Sequence, residues 1–444
     1  IASDDAFAKI VRRGSALAEA AFAHSVHVEV SGLEPGRPYW YRFAHGDARS
    51  AAGCARTAPA PGAKLERLRF GVASCSNYES GYFAAYRHLA EESPDLVLFL
   101  GDYIYEHLDH VHPTVRRHSD GVEAKTLPTY RNRYAQYRTD PNLQRVHAAA
   151  PSLVTWDDHE VQNDYADRWS QTFDDPDAFL LRRAAAYQAF YEHMPLPSRS
   201  RPDGPQMRVY DRYAFGDLVE IALLDGRQYR SREACYGRPD HGGGHVETAA
   251  SCPELFAQER SLLGAAQEAW LAEGLARSQA RWNVIAQDVL MAQLRERQDD
   301  GSMAFWTDDW NGYPRSRTRL LQRVHDAKVH NPVVLSGDIH SFWANDLKLD
   351  FDDPKSPVVA AEFVGTSITS YGPPYDKFAA WVADNAHVHF FDSRQRGYLW
   401  IELAPERMSA HCRAISDARD PQATLATLAA FAVESGRAGV QRQS

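Results

Sequence analysis

The chain has 444 residues, 44% of them hydrophobic and 24% charged, enough to bury a large core and to form one big catalytic domain with a smaller companion. No apolar run approaches the roughly 20 residues of a membrane-spanning helix, which excludes an integral helical membrane protein. The formal charge of -10, from 49 basic and 59 acidic residues, argues against a general nucleic-acid surface and suits an enzyme whose carboxylates bind cations.

Ile1 is followed by no charged-then-apolar leader, so any signal peptide is expected to have been removed or to lie outside this sequence. Val26–Val30 alternates as a strand, Gly32-Leu33-Glu34-Pro35-Gly36 reads as a turn, and Tyr39–Phe43 alternates again, which predicts a β-hairpin of a small sandwich. Together with Arg56-Thr57-Ala58-Pro59, this stretch resembles the closing strands of a fibronectin type III or immunoglobulin-like domain. Such a domain takes about 100 residues, so its front is expected to be missing. Pro59, Pro61 and Gly62 form a linker, dividing the chain into an all-β domain over 1–62 and a catalytic domain over 63–444.

From Leu65 onward strands alternate with helices, the pattern of an α/β fold. Leu68–Ala73 reads as a strand leading into Ser74-Cys75-Ser76, and Gly81–Glu92 as a helix carrying Phe83, Tyr86, Leu89 and Ala90. Pro94-Asp95 starts the strand Leu96–Leu100, which runs into Gly101-Asp102-Tyr103-Ile104-Tyr105-Glu106. Leu153–Trp156 runs into Asp157-Asp158-His159-Glu160, and Val333–Ser336 into Gly337-Asp338-Ile339-His340. Asp177–Met194 and Ala265–Ser278 read as amphipathic helices, with Trp282–Gln287 the strand after the second. Five cysteines are too few for a disulfide scaffold and odd in number. Cys235 and Cys252 flank Gly242-Gly243-Gly244 and can close a loop if the protein works outside the cytoplasm.

Buried strands ending repeatedly in carboxylates point to bound cations, because anionic oxygens beside an apolar core are costly without them. Ligands of open α/β sheets sit outside the carboxyl ends of the strands, where all these motifs and Cys75 fall. Taken singly, each residue has a structural alternative. Asp102 and Tyr105 are a surface acid and a packed tyrosine, or a carboxylate and phenolate holding a hard ion such as ferric iron. Cys75 is a small buried hydrophobe, or a thiolate ligand. His340 is a core histidine, or a ligand set beside Asp338 by strand alternation. Asp157-Asp158-His159-Glu160 is the most specific signal, with an acidic helix start as its alternative. There Asp158 would bind or bridge metals, His159 would reach the substrate, and Asn163 would add a neutral oxygen.

Six ordered motifs resemble the PhoD-type alkaline phosphatases and phosphodiesterases of the metallophosphoesterase superfamily. They are Ser74-Cys75 with Gly81, Phe83 and Tyr86; Gly101–Glu106; Trp156–Val161 with Asn163; Leu224-Asp225 with Arg227-Gln228-Tyr229-Arg230; Trp282–Gln287; and Ser336–Ser341. Glu362-Phe363-Val364-Gly365-Thr366-Ser367 extends the likeness. The resemblance implies a four-layer αββα metallophosphoesterase sandwich related to the purple acid phosphatases, with one ferric iron and two calcium ions. By position, Cys75, Asp102, Tyr105 and His340 would hold iron. Asp102 would bridge to calcium, with Asp158, Asn163 and Asp338 completing the calcium sites and Asp157 a neighbour. Oxygen donors stand here where relatives with two transition metals have nitrogen, which favours calcium. An extracytoplasmic location follows from the same resemblance.

The expected reaction is hydrolysis of phosphate mono- or diesters by a metal-bound hydroxide attacking in line, with His159 stabilising or protonating the departing alkoxide. Arg227 is either a two-toothed clamp on the phosphate or a salt bridge to Asp225 or another core acid. His107, His110, His112 and His118 read as an exposed loop rim, and Phe305–Tyr313 as a wall of the site mouth or packing under a loop. Two other readings compete. A calcium-stabilised extracellular binding protein leaves Cys75, Tyr105, His159 and His340 unexplained. A metal-dependent nuclease on the same fold, or a phospholipase-type diesterase as its variant, competes as well; the nuclease would be expected to show a basic groove, against the net charge of -10.

Overall fold

Strands that are apolar on both faces must be covered twice, and that requirement sets the layering. The computed structural model describes residues 1–237 and 242–443. The amino-terminal segment holds β1 (Pro38–Tyr41) and β2 (Gly53–Arg56). The first half of the main body runs β3 (Leu68–Ala73), α1 (Ala84–Glu91), β4 (Leu96–Leu100), α2 (Leu127–Arg138), α3 (Pro141–Ala149), β5 (Ser152–Thr155) and α4 (Pro176–His193). The second half runs β6 (Asp211–Phe215), β7 (Val219–Leu223), α5 (Gly264–Arg277), β8 (Trp282–Ala286), α6 (Pro314–Asp326) and β9 (Pro332–Ser336). It continues through β10 (Phe342–Lys348), β11 (Val358–Val364), α7 (Tyr375–Val382) and β12 (Val388–Asp392). A meander of β13 (Arg396–Leu403), β14 (Arg407–Ile415), β15 (Leu425–Glu434) and β16 (Gln441–Arg442) closes the chain.

Strands β3 to β16 form two seven-stranded sheets, ordered β16-β15-β14-β13-β3-β4-β5 and β12-β10-β11-β9-β8-β7-β6. Side-chain alternation assigns the layers. Leu96, Leu98 and Leu100 join Leu68, Phe70, Ile221, Val284 and Val333 in a core between the sheets. Val97 and Phe99, on the opposite face of β4, pack under the first-half helices with Tyr86, Tyr134 and Phe190. Ile285 and Val334 do the same for the second sheet, against Leu271, Leu275 and Leu321. Helix, sheet, sheet and helix therefore make the four layers that the motif resemblance implied.

β3, β4 and β5 pair in parallel in one sheet, and β7, β8, β9 and β11 in the other, so seven carboxyl ends open at one edge of the sandwich. Close approach of the loops there depends on two glycines. Gly101 has a φ of 89° and a Cβ at this position would collide with Asp157. At Gly337 a Cβ would lie 2.5 Å from Ser74 Oγ, so it lets the second sheet's loop rest on the first's.

The amino-terminal expectation needs correction. Val26–Val30 is not a strand. β1 pairs instead with β2, antiparallel, and Ala2 bridges Trp40. Alternation gave the Val26–Val30 stretch a face but no ladder partner, and it is held by other means. His27 Nδ1 lies 2.8 Å from the Leu196 carbonyl, its ring stacks on Tyr191 at 3.9 Å, and Glu29 accepts from Ser198 N–H at 2.8 Å.

Gly101→Ala is expected to cost about 2 to 4 kcal/mol, combining backbone strain with collision, whereas Gly36→Ala costs about 1 kcal/mol. Gly36 has a comparable φ of 71° but nothing within 4 Å of its Cβ position. Urea unfolding of both variants checks this, and equal shifts in midpoint would remove the close-approach argument.

Candidate metal centre

The loops leaving β3, β4 and β5 are stitched together before any side chain is considered. Cys75 N–H donates to the Gly101 carbonyl at 3.3 Å and Ser76 N–H to the Asp102 carbonyl at 2.9 Å. Glu160 accepts from Tyr103 N–H at 2.6 Å, Asp157 N–H at 2.9 Å and Asp102 N–H at 3.2 Å. Burial pushes its carboxyl up to about 7. Cys75, Asp102, Asp338 and His340 all sit in the left-handed region, with φ of 58°, 52°, 65° and 51°. Non-glycine residues rarely accept that conformation, and where several do together the strain usually serves a site.

Two poles result. At the first, the donor atoms of Cys75, Asp102 and His340 lie within 4.8 Å of one another. Tyr105 joins them: its hydroxyl donates to Asp102 Oδ2 at 3.0 Å and lies 3.1 Å from His340 Nε2. His340 Nδ1 is 2.8 Å from the Tyr371 carbonyl, which fixes the proton there and leaves the Nε2 lone pair facing the cluster. At the second pole, Asp158, Asp164 and Asp308 are grouped within the same 4.8 Å limit. Asp102 also groups with Asp158 and His159, so it touches both poles.

Asp338 and His340 are not neighbours on a strand face, as alternation implied. β9 ends at Ser336, and the two residues lie in the turn beyond it. His340 enters the sulfur pole, whereas Asp338 is in none of the grouped sets and its carbonyl lies 3.9 Å from Cys75 Sγ. Asn163 is half-buried and donates its backbone N–H to Glu106 at 2.8 Å.

The charges are arranged as a cation site requires. Burial, then Asp102, drives the Cys75 thiol well above its usual range, and the same two causes raise Tyr105. Burial raises Asp102 as well, and it brings Asp338 to about 7. Asp158 is the exception: burial is outweighed by Arg227 and then His159, which lower it. His159 is raised despite its burial by Asp158, Glu106 and Asp102. Asp158 Oδ1, Asp157 Oδ2 and both Asp288 oxygens are buried without a hydrogen bond among the described residues. Buried, unpartnered carboxylate oxygens beside a thiol, a phenol and an imidazole fit metal ions.

His159 is held on two sides. Its Nδ1 lies 2.7 Å from Glu106 Oε2, and its ring stacks on Tyr105 at 4.0 Å. Arg227 is fully buried. Its Nε contacts Asp157 at 2.5 Å and its Nη1 contacts Asp308 at 2.7 Å, with Asp158 and Asp288 within 4 Å. This geometry corresponds to the core salt bridge rather than to an open phosphate clamp, and the acids are Asp157 and Asp308. Asp225 instead accepts from Trp156 Nε1 and from the backbone N–H of Arg227 and Gln228.

Around the rim, His110 and His112 are exposed and His107 is half-buried, but His118 is buried, so the exposed-rim reading fails for it. Within Phe305–Tyr313, Trp310 and Tyr313 belong to a core, while Asp308 faces the oxygen pole. Cys235 and Cys252 form a disulfide. From that loop Gly244 N–H donates to Asp164 at 2.8 Å, bracing the second pole. Glu106, Asp164 and Asp308 were not singled out as site residues in the sequence. Glu106 ends the Gly-Asp motif and Asp164 follows Asn163, so position along the chain was the available signal. Asp308 carries no such mark.

Among the described residues no helix is long and apolar enough to cross a membrane. The family description of PhoD-like phosphatases matches residues 70–412, and that of their N-terminal domain matches residues 1–59. The chain is similar to alkaline phosphatase D of Bacillus subtilis (strain 168), at 43% identity over 451 residues, covering 100% of this chain and 75% of that protein. A solved structure titled "Structure of PhoD" superposes with a TM-score of 0.93 at 42% identity, covering 100% of this chain and 84% of the other. With its layers, motifs and relatives in agreement, the chain belongs to the PhoD-like phosphatase family.

Proposed function

We propose that this phosphate ester hydrolase cleaves mono- or diesters at a cluster of one ferric iron and two calcium ions, outside the cytoplasm. The observation that carries this reading is the meeting of thiol, phenol, carboxylate and imidazole from three chain segments, beside a carboxylate group that Asp102 reaches through Asp158. Cys75, Asp102, Tyr105 and His340 offer donors suited to ferric iron. Asp158, Asn163 and Asp338, joined by Asp164 and Asp308, offer the hard oxygens that calcium takes. Once bound, the cations supply charge neutralisation for the phosphate and acidify the attacking water. The Cys235–Cys252 disulfide supports work outside a reducing compartment.

The chain's own residues orient the reaction. Glu106 engages His159 Nδ1 and so leaves Nε2 to face the oxygen of the departing alcohol, which takes its proton there. The Tyr105 ring fixes the imidazole plane. Arg227 holds Asp157 and Asp308 and thereby shapes the oxygen pole, without reaching substrate.

The purified protein is expected to show a tyrosinate-to-iron charge-transfer colour and to hydrolyse chromogenic phosphate mono- and diesters at alkaline pH. Tyr105→Phe should lose the colour, and Asp158→Ala should lose turnover by about 100-fold or more. A colourless protein with no iron by elemental analysis would sink the assignment. Because burial raises Cys75 and Tyr105, loading the metal-free protein should release protons, and iron affinity should fall as pH is lowered.

For Glu106→Gln, kcat on alkyl phosphates is expected to drop about 100-fold, with a much smaller loss on p-nitrophenyl phosphate, whose leaving group needs no proton. Equal losses on both would reduce Glu106 to packing. Arg227→Met strands two buried carboxylates and is expected to cost about 3 to 5 kcal/mol in urea unfolding. An unchanged midpoint with lost substrate binding would restore the phosphate-clamp role.

A further inference from the structure

Three groups lie within 3.1 Å of the Tyr105 phenol oxygen: Asp102, His340 and Ser370. The first two are candidate metal ligands and would turn to an arriving ion. Ser370 differs from them: it is a neutral hydroxyl that donates to that oxygen, at 2.6 Å. We propose that Ser370 is a positioning residue for the metal centre, whose hydroxyl holds the Tyr105 oxygen in place as a ligand and lowers the energy of its lone pairs. This rests on the iron reading above.

The surroundings are built for that contact. Ser370 is buried, and its Oγ also lies 3.0 Å from the Cys75 carbonyl. One hydroxyl proton cannot serve both acceptors fully, and the shorter distance favours the phenol; negative charge on that oxygen would favour it further. The Ser370 carbonyl is gripped by Arg396 Nη1 at 2.6 Å and by Ser367 Oγ at 2.5 Å, so the residue cannot drift. Arg396 Nη1 also contacts the His340 carbonyl at 2.9 Å, and the next residue, Tyr371, holds His340 Nδ1. A single turn after β11 thus touches Cys75, Tyr105 and His340, three of the four candidate iron ligands. The plainer role for Ser370, capping the Cys75 carbonyl, would leave Tyr105 indifferent to the hydroxyl.

The readout is optical. A hydrogen bond to a phenolate stabilises its filled orbitals more than the iron orbitals that receive the electron, so removing it narrows the gap. Ser370→Ala is therefore expected to move the visible band to longer wavelength, while Ser370→Thr, which keeps the donor, stays close to the parent. Iron content by elemental analysis accompanies each spectrum. Iron lost from the alanine variant but retained in the threonine variant would also support the proposal, through its positioning half. Iron retained with an unmoved band in Ser370→Ala overturns it. A parent protein with no band and no iron instead overturns the iron reading itself, so the two failures are distinguishable.

Discussion

Asp157, Asp158, Asp288 and Asp308 all lie within 4 Å of one guanidinium, that of Arg227, at the carboxyl-end edge of two stacked sheets. Like charges gathered in a medium of low polarisability repel strongly, and one cation cannot compensate four anions. The chain manages the remainder in two ways. Burial raises the carboxyls, that of Asp288 to about 6 and that of the neighbouring Asp338 to about 7, which lessens the repulsion. Asp157, Asp158 and Asp288 also keep oxygens without a hydrogen bond among the described residues, which added positive charge would satisfy. The loop stitching by Glu160 and the bracing of Asp164 by the disulfide loop both hold this charge imbalance in place.

The poles differ because their scaffolds differ. Cys75, Asp102 and Tyr105 come from the first sheet, and His340 reaches them from the second. Asp158 also leaves the first sheet, but Asp308 arrives from a loop far along the chain. The gap between the sheets is where chemically unlike side chains can meet without sharing a strand. Gly337 makes that meeting possible by letting the backbones approach.

Much of this was legible in the sequence where one element decided the outcome. β3 and β4 were bounded correctly, since apolar runs covered on both faces announce themselves, and α4 and α5 came within a residue at each end. α2 was missed because its buried face is made of Tyr130, Arg133, Tyr134 and Tyr137, which apolar spacing does not reveal; its signals were Pro128 and the paired Thr126 and Thr129 caps. At the site, Cys75, Asp102, Tyr105, Asp158 and His340 were marked by their position at strand ends, and the structure brings them together. The part of Arg227 was open in the sequence because only burial distinguishes a core counter-ion from a phosphate clamp. Asp308 was hidden among aromatics, since its importance comes entirely from tertiary approach.

The left-handed backbone at Cys75, Asp102, Asp338 and His340 has a consequence for how such a centre can change. At these positions the main chain restricts the vocabulary before donor chemistry does. Glycine relaxes the turn but brings no donor, and β-branched residues are excluded by their own Cβ substituents. Asparagine tolerates this conformation as aspartate does. Asp102 and Asp338 can therefore trade a charged oxygen for a neutral one at little conformational expense, whereas Cys75 and His340 have no comparably permitted substitute. The oxygen donors of this centre are free to be retuned, while its sulfur and nitrogen are locked in by geometry.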